Sequence, residues 1–201
     1  MASQTSAPDV LAAVAGHRTV LALGALLMFV NTGVDVAKAV LFFSILERHG
    51  RRTALVYLAA MIVEVVLLSV GILGLLALLP LSRDGAAGAA TPDWARAAIS
   101  MCVQWNAMAY QLGEIALACG AVALCGLLYR TRLLPRVLAV WGLAGYLVLS
   151  AGAIAEVLGV HIGLVLSLPG GLWEVALAIW LILKGFRPST VAVASSAPDR
   201  V

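Results

Sequence analysis

Five carboxyl side chains lie inside the apolar stretches of this sequence, and they make up half of its ten acidic residues. They are Asp35, Glu64, Glu114, Glu156 and Glu174, and Lys38 is the one cation that lies with them away from the ends of the stretches. An ionisable group at bilayer depth costs about 2.5–3.5 kcal/mol, so it is tolerated where it faces a bundle interior, meets a partner or takes part in chemistry. Because carboxyl groups that share a site of low dielectric constant cannot all ionise, we expect a buried acidic pocket with at least one protonated acid at neutral pH.

Proton donation to an apolar substrate is the chemistry that suits such acids. A neutral carboxylic acid can protonate an alkene or an epoxide, and a second carboxylate can take up the final proton. We expect Asp35 or Glu114 to be the donor, because each has hydrogen-bonding neighbours on its own helical face. Glu64 or Glu174 would orient the donor or accept the final proton. Glu156 lies near the end of its stretch and is the weakest candidate.

Asn31, Asp35 and Lys38 follow one another at spacings of four and three, which places them on one face of a helix. The trio could be an acid held by a cation and an amide at the wall of a pocket, which makes Asn31 and Lys38 substrate-binding candidates. It could also be an internally neutralised pair that lets a polar face pack. For this trio alone the second interpretation is slightly favoured.

A second polar stripe contains Asn106, Tyr110 and Glu114 at two spacings of four, and Tyr57 shares a helical face with Glu64. Tyrosine and asparagine can donate to a carboxylate and orient it, so we expect Tyr57, Asn106 and Tyr110 at the substrate site. The stripe could instead be polar contact between helices, worth about 0.6–2 kcal/mol per contact. Its coincidence with four other buried acids favours the functional interpretation.

Aromatic rings could shelter a cationic intermediate, because a ring face attracts a cation within about 6 Å of its centroid. Trp173 is adjacent to Glu174, and we expect Trp173 and Tyr110 to be the cation-stabilising rings. Tryptophan near the end of a span usually belongs to an interfacial belt, and this is the expected place of Trp141.

Metal and phosphate chemistry lack their usual residues in this sequence. The histidines His17, His49 and His161 all lie outside the apolar stretches, and no His/Cys cluster has the spacing of a zinc site. There is no Gly-rich phosphate loop and no Asp-rich motif for a magnesium–diphosphate complex. We therefore expect no metal and no cofactor, which argues against hydrolysis, phosphoryl transfer and diphosphate ionisation.

The composition is that of a protein that crosses a membrane several times. Of 201 residues, 63% are apolar and 11% are charged, and the mean hydropathy is +1.04. Such a chain leaves no room for a separate soluble domain. The formal net charge of +3 does not point to nucleic acid, because the cations gather at the ends of the apolar stretches.

Five stretches have at least the roughly 20 residues that a helix needs to cross a hydrocarbon core. They run from Thr19 to Leu46, from Thr53 to Leu79, from Thr91-Pro92-Asp93 to Tyr129, from Val137 to Leu158 and from Leu164 to Lys184. We predict an all-α integral membrane bundle of about five helices over residues 19–187. Residues 1–18 are a tail before it, and residues 188–201 are a disordered tail after it.

Cation placement predicts the orientation of this bundle. Nine of the thirteen Lys and Arg residues follow the first, third and fifth stretches, which the positive-inside rule makes cytoplasmic. The N-terminus is then outside and the C-terminus inside. We expect a multi-pass protein of the bacterial cytoplasmic membrane whose partners are the bilayer and a lipophilic substrate. Its oligomeric state is left open.

Four segments between Ala54 and Phe186 carry a resemblance to a known family. They are Met61-Ile62-Val63-Glu64, Leu127 to Arg136, Trp141-Gly142-Leu143 and Leu172-Trp173-Glu174 with Trp180 to Phe186. With them the chain resembles a bacterial family of small multi-span membrane proteins catalogued as a domain of unknown function. Glu64 and Glu174 fit the pattern of that family, whereas Asp35, Lys38, Glu114 and Glu156 depart from it.

In size and chemical equipment the chain is similar to the small membrane-embedded terpenoid cyclases of actinomycete and fungal meroterpenoid pathways. That analogy implies metal-independent, proton-initiated cyclisation of a membrane-dissolved isoprenoid, for example one linked to indole. Two other classes stay open. A proton-coupled carrier or relay subunit would also use acids inside spans, and a non-catalytic membrane partner would use its polar residues to bind helices.

Overall fold

The computed structural model describes residues 16–80 and 93–186, which form four helices and contain no strand. We label them α1 (Arg18–Leu76), α2 (Asp93–Thr131), α3 (Arg136–Val157) and α4 (Gly163–Lys184). Each is long and apolar enough to cross a membrane, so the prediction of an all-α membrane protein is confirmed. Most of the predicted N-terminal tail, residues 81–92 and the predicted tail 188–201 lie outside the described residues.

The predicted count of five spans is not supported, because the first two predicted spans form one element. α1 contains 59 residues, or about 88 Å of helix at 1.5 Å per residue, against a hydrocarbon core of about 30 Å. Its backbone departs from helical angles at Gly50, where φ is −179° and ψ is 75°. The Arg18 guanidinium donates a hydrogen bond of 3.2 Å to the Leu79 carbonyl, so the two ends of α1 meet. α1 is therefore a hairpin that reverses at Gly50, and the predicted orientation of the termini stays a prediction.

The chain contains two compact units. Unit 1 consists of Met1–Lys38 and Ile62–Gly113, and unit 2 consists of Ala39–Met61 and Glu114–Val201. Both units therefore take residues from the two arms of α1 and from α2, whereas α3 and α4 belong to unit 2 alone. The predicted single domain of residues 19–187 stays a prediction.

In unit 1 the second arm of α1 packs antiparallel against α2. The close pairs are Gly74 with Trp105, Gly71 with Ala109, and Glu64 with Gly113. A methyl group added to Gly71 would lie 3.2 Å from the Ala109 Cβ, so the two helices approach at a distance that only small residues permit. Two buried residues, Leu78 and Ile99, form the small apolar cluster described in this unit.

Unit 2 has a larger core, in which α3 and α4 form an antiparallel hairpin. Glycines of α3 allow α4 to pack closely against it. A methyl group on Gly145, for example, would lie only 3.1 Å from the Pro169 carbonyl oxygen. The core continues into α1 and α2, where the buried side chains include Leu46, Leu124 and Leu128. The position of Trp173, Glu174 and their neighbours follows from this close packing.

The α3–α4 turn is fixed by a carboxylate. The Glu156 Oε1 accepts a hydrogen bond of 2.9 Å from the Gly163 backbone N–H at the start of α4. Its Oε2 lies 3.0 Å from the His161 Nδ1. A carboxylate at a helix N-terminus satisfies an unpaired backbone donor and interacts favourably with the helix dipole. Glu156 thus has a structural role, in agreement with its weak candidacy.

Candidate functional site

The four acids predicted to be catalytic are distributed over both units. Asp35 and Glu64 belong to unit 1, and Glu114 and Glu174 belong to unit 2. Their convergence on one cavity stays a prediction, and each set is described within its own unit. The two sets differ in what surrounds the carboxyl groups, and this difference decides which acid has access to a ligand.

Asp35 forms a self-contained polar group on the first arm of α1. Its Oδ1 lies 2.8 Å from the Lys38 Nζ, and its Oδ2 accepts a hydrogen bond of 3.0 Å from the Asn31 amide. The trio predicted from spacing is therefore formed. Because both oxygens act as acceptors, the geometry fits a carboxylate and favours the interpretation of a neutralised pair over that of a proton donor.

Glu64 is buried between the second arm of α1 and α2, with 5% of its surface exposed. A methyl group on Gly113 would lie 3.7 Å from the Glu64 Cγ, so the glycine leaves room for this side chain. On α2, Asn106 is half-buried, and its amide nitrogen approaches Gly71. Tyr110 is 42% exposed. The predicted polar stripe of Asn106, Tyr110 and Glu114 therefore lies on α2, but Tyr110, its aromatic member, is exposed.

An open apolar groove of about 500 Å³ runs between α1 and α2 in unit 1. We call it the Trp105 groove; it is lined by Leu67, Val70, Ser100, Met101, Gln104, Trp105, Met108, Ala109 and Leu112. A second groove of about 370 Å³ shares Val70, Met101 and Trp105 with it. The Trp105 side chain, 50% exposed, stands at the shared border.

Glu64 lies just beyond one end of the Trp105 groove. Leu67, in the lining, is one helical turn after Glu64 on α1, and Leu112, also in the lining, directly precedes Gly113, which contacts Glu64. No acid is part of the lining of the two grooves described. The groove therefore offers an apolar ligand a position close to one buried carboxyl group.

Sequence reasoning missed the groove. Met101, Gln104, Trp105 and Met108 lie at spacings of three and four, and such a stripe also occurs on an ordinary lipid-facing helix. Only the small residues at Gly71 and Gly74 on the opposite helix hint that a depression forms there.

Unit 2 places Glu174 in a packed environment. Its Oε1 accepts a hydrogen bond of 2.6 Å from the Tyr146 hydroxyl, and Tyr146 is buried. The Tyr146 and Trp173 rings meet edge to face with centroids 5.4 Å apart. The Trp173 indole N–H donates a hydrogen bond of 2.6 Å to the Leu138 carbonyl. Tyr146 was missed as a site residue because 28 positions separate it from Glu174.

The remaining predicted site residues of unit 2 are also part of its packing. Trp173 is 2% exposed, so its ring is enclosed by protein. Tyr57 is buried and contacts Phe42 with ring centroids 6.0 Å apart. Glu114 is half-buried on α2. These residues form a packed core that is stabilised by the hydrogen bond between Tyr146 and Glu174.

Among residues 16–80 and 93–186, no group of three or more His, Cys, Asp or Glu side chains could hold a metal ion.

Comparison with known proteins gives a family and no activity. The sequence pattern of a family described as "Domain of unknown function (DUF4386)" matches residues 1–185. No curated protein matches the chain, and no solved structure matches it. The match extends further towards the N-terminus than the resemblance between Ala54 and Phe186, and it includes both arms of α1 and the Trp105 groove.

Proposed function

The chain belongs to the family described as a domain of unknown function (DUF4386), and because that description gives no activity, we propose a function from the Trp105 groove. The protein is a membrane-embedded terpene cyclase that carries out metal-independent, proton-initiated cyclisation of a prenylated lipophilic substrate, such as an indole-linked isoprenoid. The observation that carries this proposal is a ligand-sized apolar groove that ends beside the buried Glu64.

The groove has the size and surface that an isoprenoid chain requires. Its volume of about 500 Å³ lies within the range of about 300–1,000 Å³ typical of small-molecule sites. Leucine, valine and methionine side chains provide most of its lining, and Ser100 and Gln104 supply polar groups that could orient a ring or head group. Because the groove is open, a substrate dissolved in the bilayer could enter sideways without crossing water.

Glu64 is the proposed proton donor and acceptor. As a carboxylic acid it would give its proton to a terminal alkene carbon, forming a C–H bond and a tertiary cation. The π electrons of a second alkene would then form the ring-closing C–C bond. The final cation would lose a proton to the Glu64 carboxylate, which restores the acid. The substrate is isomerised, and no oxidant, reductant or metal enters the balance.

Trp105 is the proposed cation-stabilising ring in place of Trp173. It borders both grooves and is half exposed, so its face is accessible to a substrate, whereas Trp173 is enclosed. A ring face near a desolvated cation contributes about 2 kcal/mol or more. Glu174 and Tyr146 are proposed to hold α3 against α4.

Cyclisation of linear prenyl-indole and related linear isoprenoids tests the proposal. Membranes containing the protein are incubated with each substrate, with and without EDTA, and products are identified by mass spectrometry. Glu64→Gln keeps the shape of the side chain and should lower turnover by at least about 100-fold, the usual contribution of a general acid. Glu47→Gln, at an exposed position in α1, is the control and should retain turnover.

A groove-filling pair separates binding from chemistry. Val70→Trp introduces a large ring at the border of both grooves and should raise KM or abolish turnover. Val66→Trp places the same ring one turn earlier, on a lipid-exposed position outside the lining, and should have little effect. Equal loss in both variants would contradict the assignment of the groove.

Three outcomes would overturn the cyclase proposal in different ways. Full activity of Glu64→Gln together with loss in Asp35→Asn, Glu114→Gln or Glu174→Gln would move the proton donor to that residue. Strict dependence on magnesium would exclude the mechanism. If no isoprenoid reacts and a proton gradient drives uptake of a solute instead, the proton-coupled carrier replaces the cyclase.

Location and orientation belong to this proposal. We place the protein in the bacterial cytoplasmic membrane, with both arms of α1 crossing it and the N-terminus outside, on the strength of the cation asymmetry. A cysteine introduced between Ser82 and Pro92 should react with a membrane-impermeant label in intact cells. Reaction only after the cells are opened would reverse the orientation.

A non-catalytic membrane partner is the second candidate, and the polar group on α1 favours it. Asn31 is exposed, and the Lys38 side chain retains 31% of its exposure in the middle of an apolar arm. Polar side chains on a lipid-exposed face often bind a second helix. The triple variant Asn31→Ala/Asp35→Leu/Lys38→Met should then dissociate an oligomer or complex that survives in detergent. An unchanged particle size, with wild type and variant both monomeric, would dismiss this candidate.

A further inference from the structure

One end of unit 2 gathers helix ends from four segments of the chain. The turn of α1 and the end of α2 are adjacent, because a methyl group on Gly50 would lie 2.7 Å from the Leu127 side chain. Phe186, two residues after the end of α4, reaches the same end, since the Phe42 and Phe186 ring centroids are 6.0 Å apart. The α2–α3 turn follows Leu127 after only a few residues. The topology thus places the α1 turn, the α2–α3 turn and the end of α4 together.

Nearly all charged residues of these three segments are basic, and we call the three segments together the basic end of unit 2. It contains seven exposed cations, namely Arg48, Arg51, Arg52, Arg130, Arg132, Arg136 and Lys184. Glu47 is the one carboxylate among residues 42–57, 127–137 and 180–186. The ion pairs in the described parts of the chain are Asp35–Lys38, Asp93–Arg96 and Glu156–His161. None of them neutralises a cation of the basic end.

Aromatic rings contact two of these cations, and a third lies on an unusual backbone conformation. The Arg136 guanidinium lies 5.3 Å from the Tyr129 ring centroid, and the Lys184 ammonium lies 4.8 Å from that of Trp180. Arg132 has a left-handed backbone, with φ at 56°, which is uncommon for a residue other than glycine. A cation that is held in place loses less conformational entropy when it binds an anion.

We propose that the basic end of unit 2 binds the phosphate of an anionic phospholipid head group. The cations lie at the ends of apolar, membrane-length helices, so the anions next to them in a bilayer are lipid head groups. Arginine suits this partner, because its guanidinium can donate two parallel hydrogen bonds to a phosphate. The proposal is independent of the cyclase proposal, which concerns unit 1.

Lipid binding to the purified full chain tests the proposal. The protein in a neutral detergent is titrated with phosphatidylglycerol or, separately, with phosphatidylcholine of the same acyl chains, and bound lipids are counted by native mass spectrometry. The wild type should prefer phosphatidylglycerol, and the preference should weaken at high salt as screening increases. Each arginine near an anionic surface contributes about fivefold to the association constant. R51Q/R52Q/R132Q/R136Q should therefore bind phosphatidylglycerol at least tenfold more weakly.

Two control variants keep the result interpretable. R96Q removes a cation of unit 1 that already pairs with Asp93, and it should leave the lipid preference unchanged. R51K/R52K/R132K/R136K keeps the charge but loses the paired guanidinium donors; it should still prefer phosphatidylglycerol, with weaker binding than the wild type, which shows that the positions tolerate substitution. Glycerol phosphate at equal concentration should not displace the lipid. If it does, the ligand of the basic end is a soluble phosphate compound and not a lipid. Equal binding of both lipids by the wild type, or an unchanged preference in the glutamine variant, would overturn the proposal.

Discussion

Glu64 and Glu174 illustrate how differently the two units use a carboxyl group inside an apolar helix. Glu174 accepts a hydrogen bond from a buried tyrosine whose ring packs on an enclosed tryptophan. Glu64 is more buried, yet it lies next to an open groove with a half-exposed tryptophan at its border. Burial therefore does not distinguish Glu64, the proposed catalytic acid, from Glu174, to which we assign a structural role. The distinction lies in whether a neighbouring space can accept a ligand.

The amount of core in each unit matches this contrast. Among the described residues, the apolar cluster of unit 2 contains nineteen buried residues, and the one described in unit 1 contains two. Well-packed interiors tolerate changes of volume poorly, so substitutions in unit 2 should affect stability. In unit 1, where side chains line a groove and face lipid, substitutions should affect ligand binding more than stability.

The largest effect is expected from a matched pair of tryptophan truncations. Trp173→Ala removes an enclosed ring and leaves the Leu138 carbonyl without its donor, which should lower the free energy of unfolding by about 3–5 kcal/mol. Trp105→Ala removes a half-exposed ring and should lower it by less than about 1 kcal/mol. Reversible unfolding in mixed micelles measures both values. Equal losses would mean that the two units do not differ in packing.

Glycine substitutions should give the next largest effect. A methyl group on Gly142 would overlap the Trp173 indole and lie 2.8 Å from the Cys125 Sγ, so Gly142→Ala should destabilise the protein by about 1–3 kcal/mol. At Gly113 in unit 1 the nearest atoms are 3.6 Å away, and alanine there should change stability by less than about 0.5 kcal/mol. Gly126→Ala, with nothing within 4 Å, controls for the change in helix propensity. A Gly142→Ala protein as stable as the Gly126→Ala protein would contradict the close α3–α4 approach.

A smaller effect is expected from the Tyr146–Glu174 hydrogen bond. Tyr146→Phe, Glu174→Gln and the double variant form a cycle whose coupling free energy should be about 0.6–1.7 kcal/mol, the range for polar contacts between membrane helices. Turnover of an isoprenoid substrate should survive in all three. Loss of turnover with unchanged stability would assign Glu174 to catalysis and refute its structural role.

The sequence predicted the helices well because their signals are local. Long apolar stretches bounded by arginines placed α3 within one residue at each end and α4 within one residue at its start. The first two predicted spans instead form the single element α1, whose backbone departs from helical angles only at Gly50. A single non-helical residue leaves no compositional trace that distinguishes a hairpin from two separate helices.

The candidate site was less predictable because it depends on contacts between distant residues. The pairing of Tyr146 with Glu174 follows from the close packing of α3 on α4, which the helical period of neither segment reveals. The Trp105 groove arises where small residues on α1 face a stripe on α2 that resembles lipid-facing surface. The Asn31–Asp35–Lys38 group was predictable, because its members lie within two turns of one helix.

The smallest effect is expected where unit 1 is most exposed, at the Asp35–Lys38 pair. Asp35→Leu/Lys38→Met removes two opposite charges from an apolar arm. The free energy of unfolding should change by less than about 1 kcal/mol, because the lost attraction within the ion pair is nearly offset by the desolvation cost that the two charges no longer incur. Lys38→Met alone leaves a carboxylate without its cation and should cost more, towards the roughly 2.5–3.5 kcal/mol of an ionisable group at bilayer depth. The same unfolding assay in mixed micelles compares the two variants with the wild type. A double variant at least as damaging as the single one would show that the polar group supports unit 1 through further contacts, and the contrast with the enclosed Tyr146–Glu174 bond of unit 2 would then disappear.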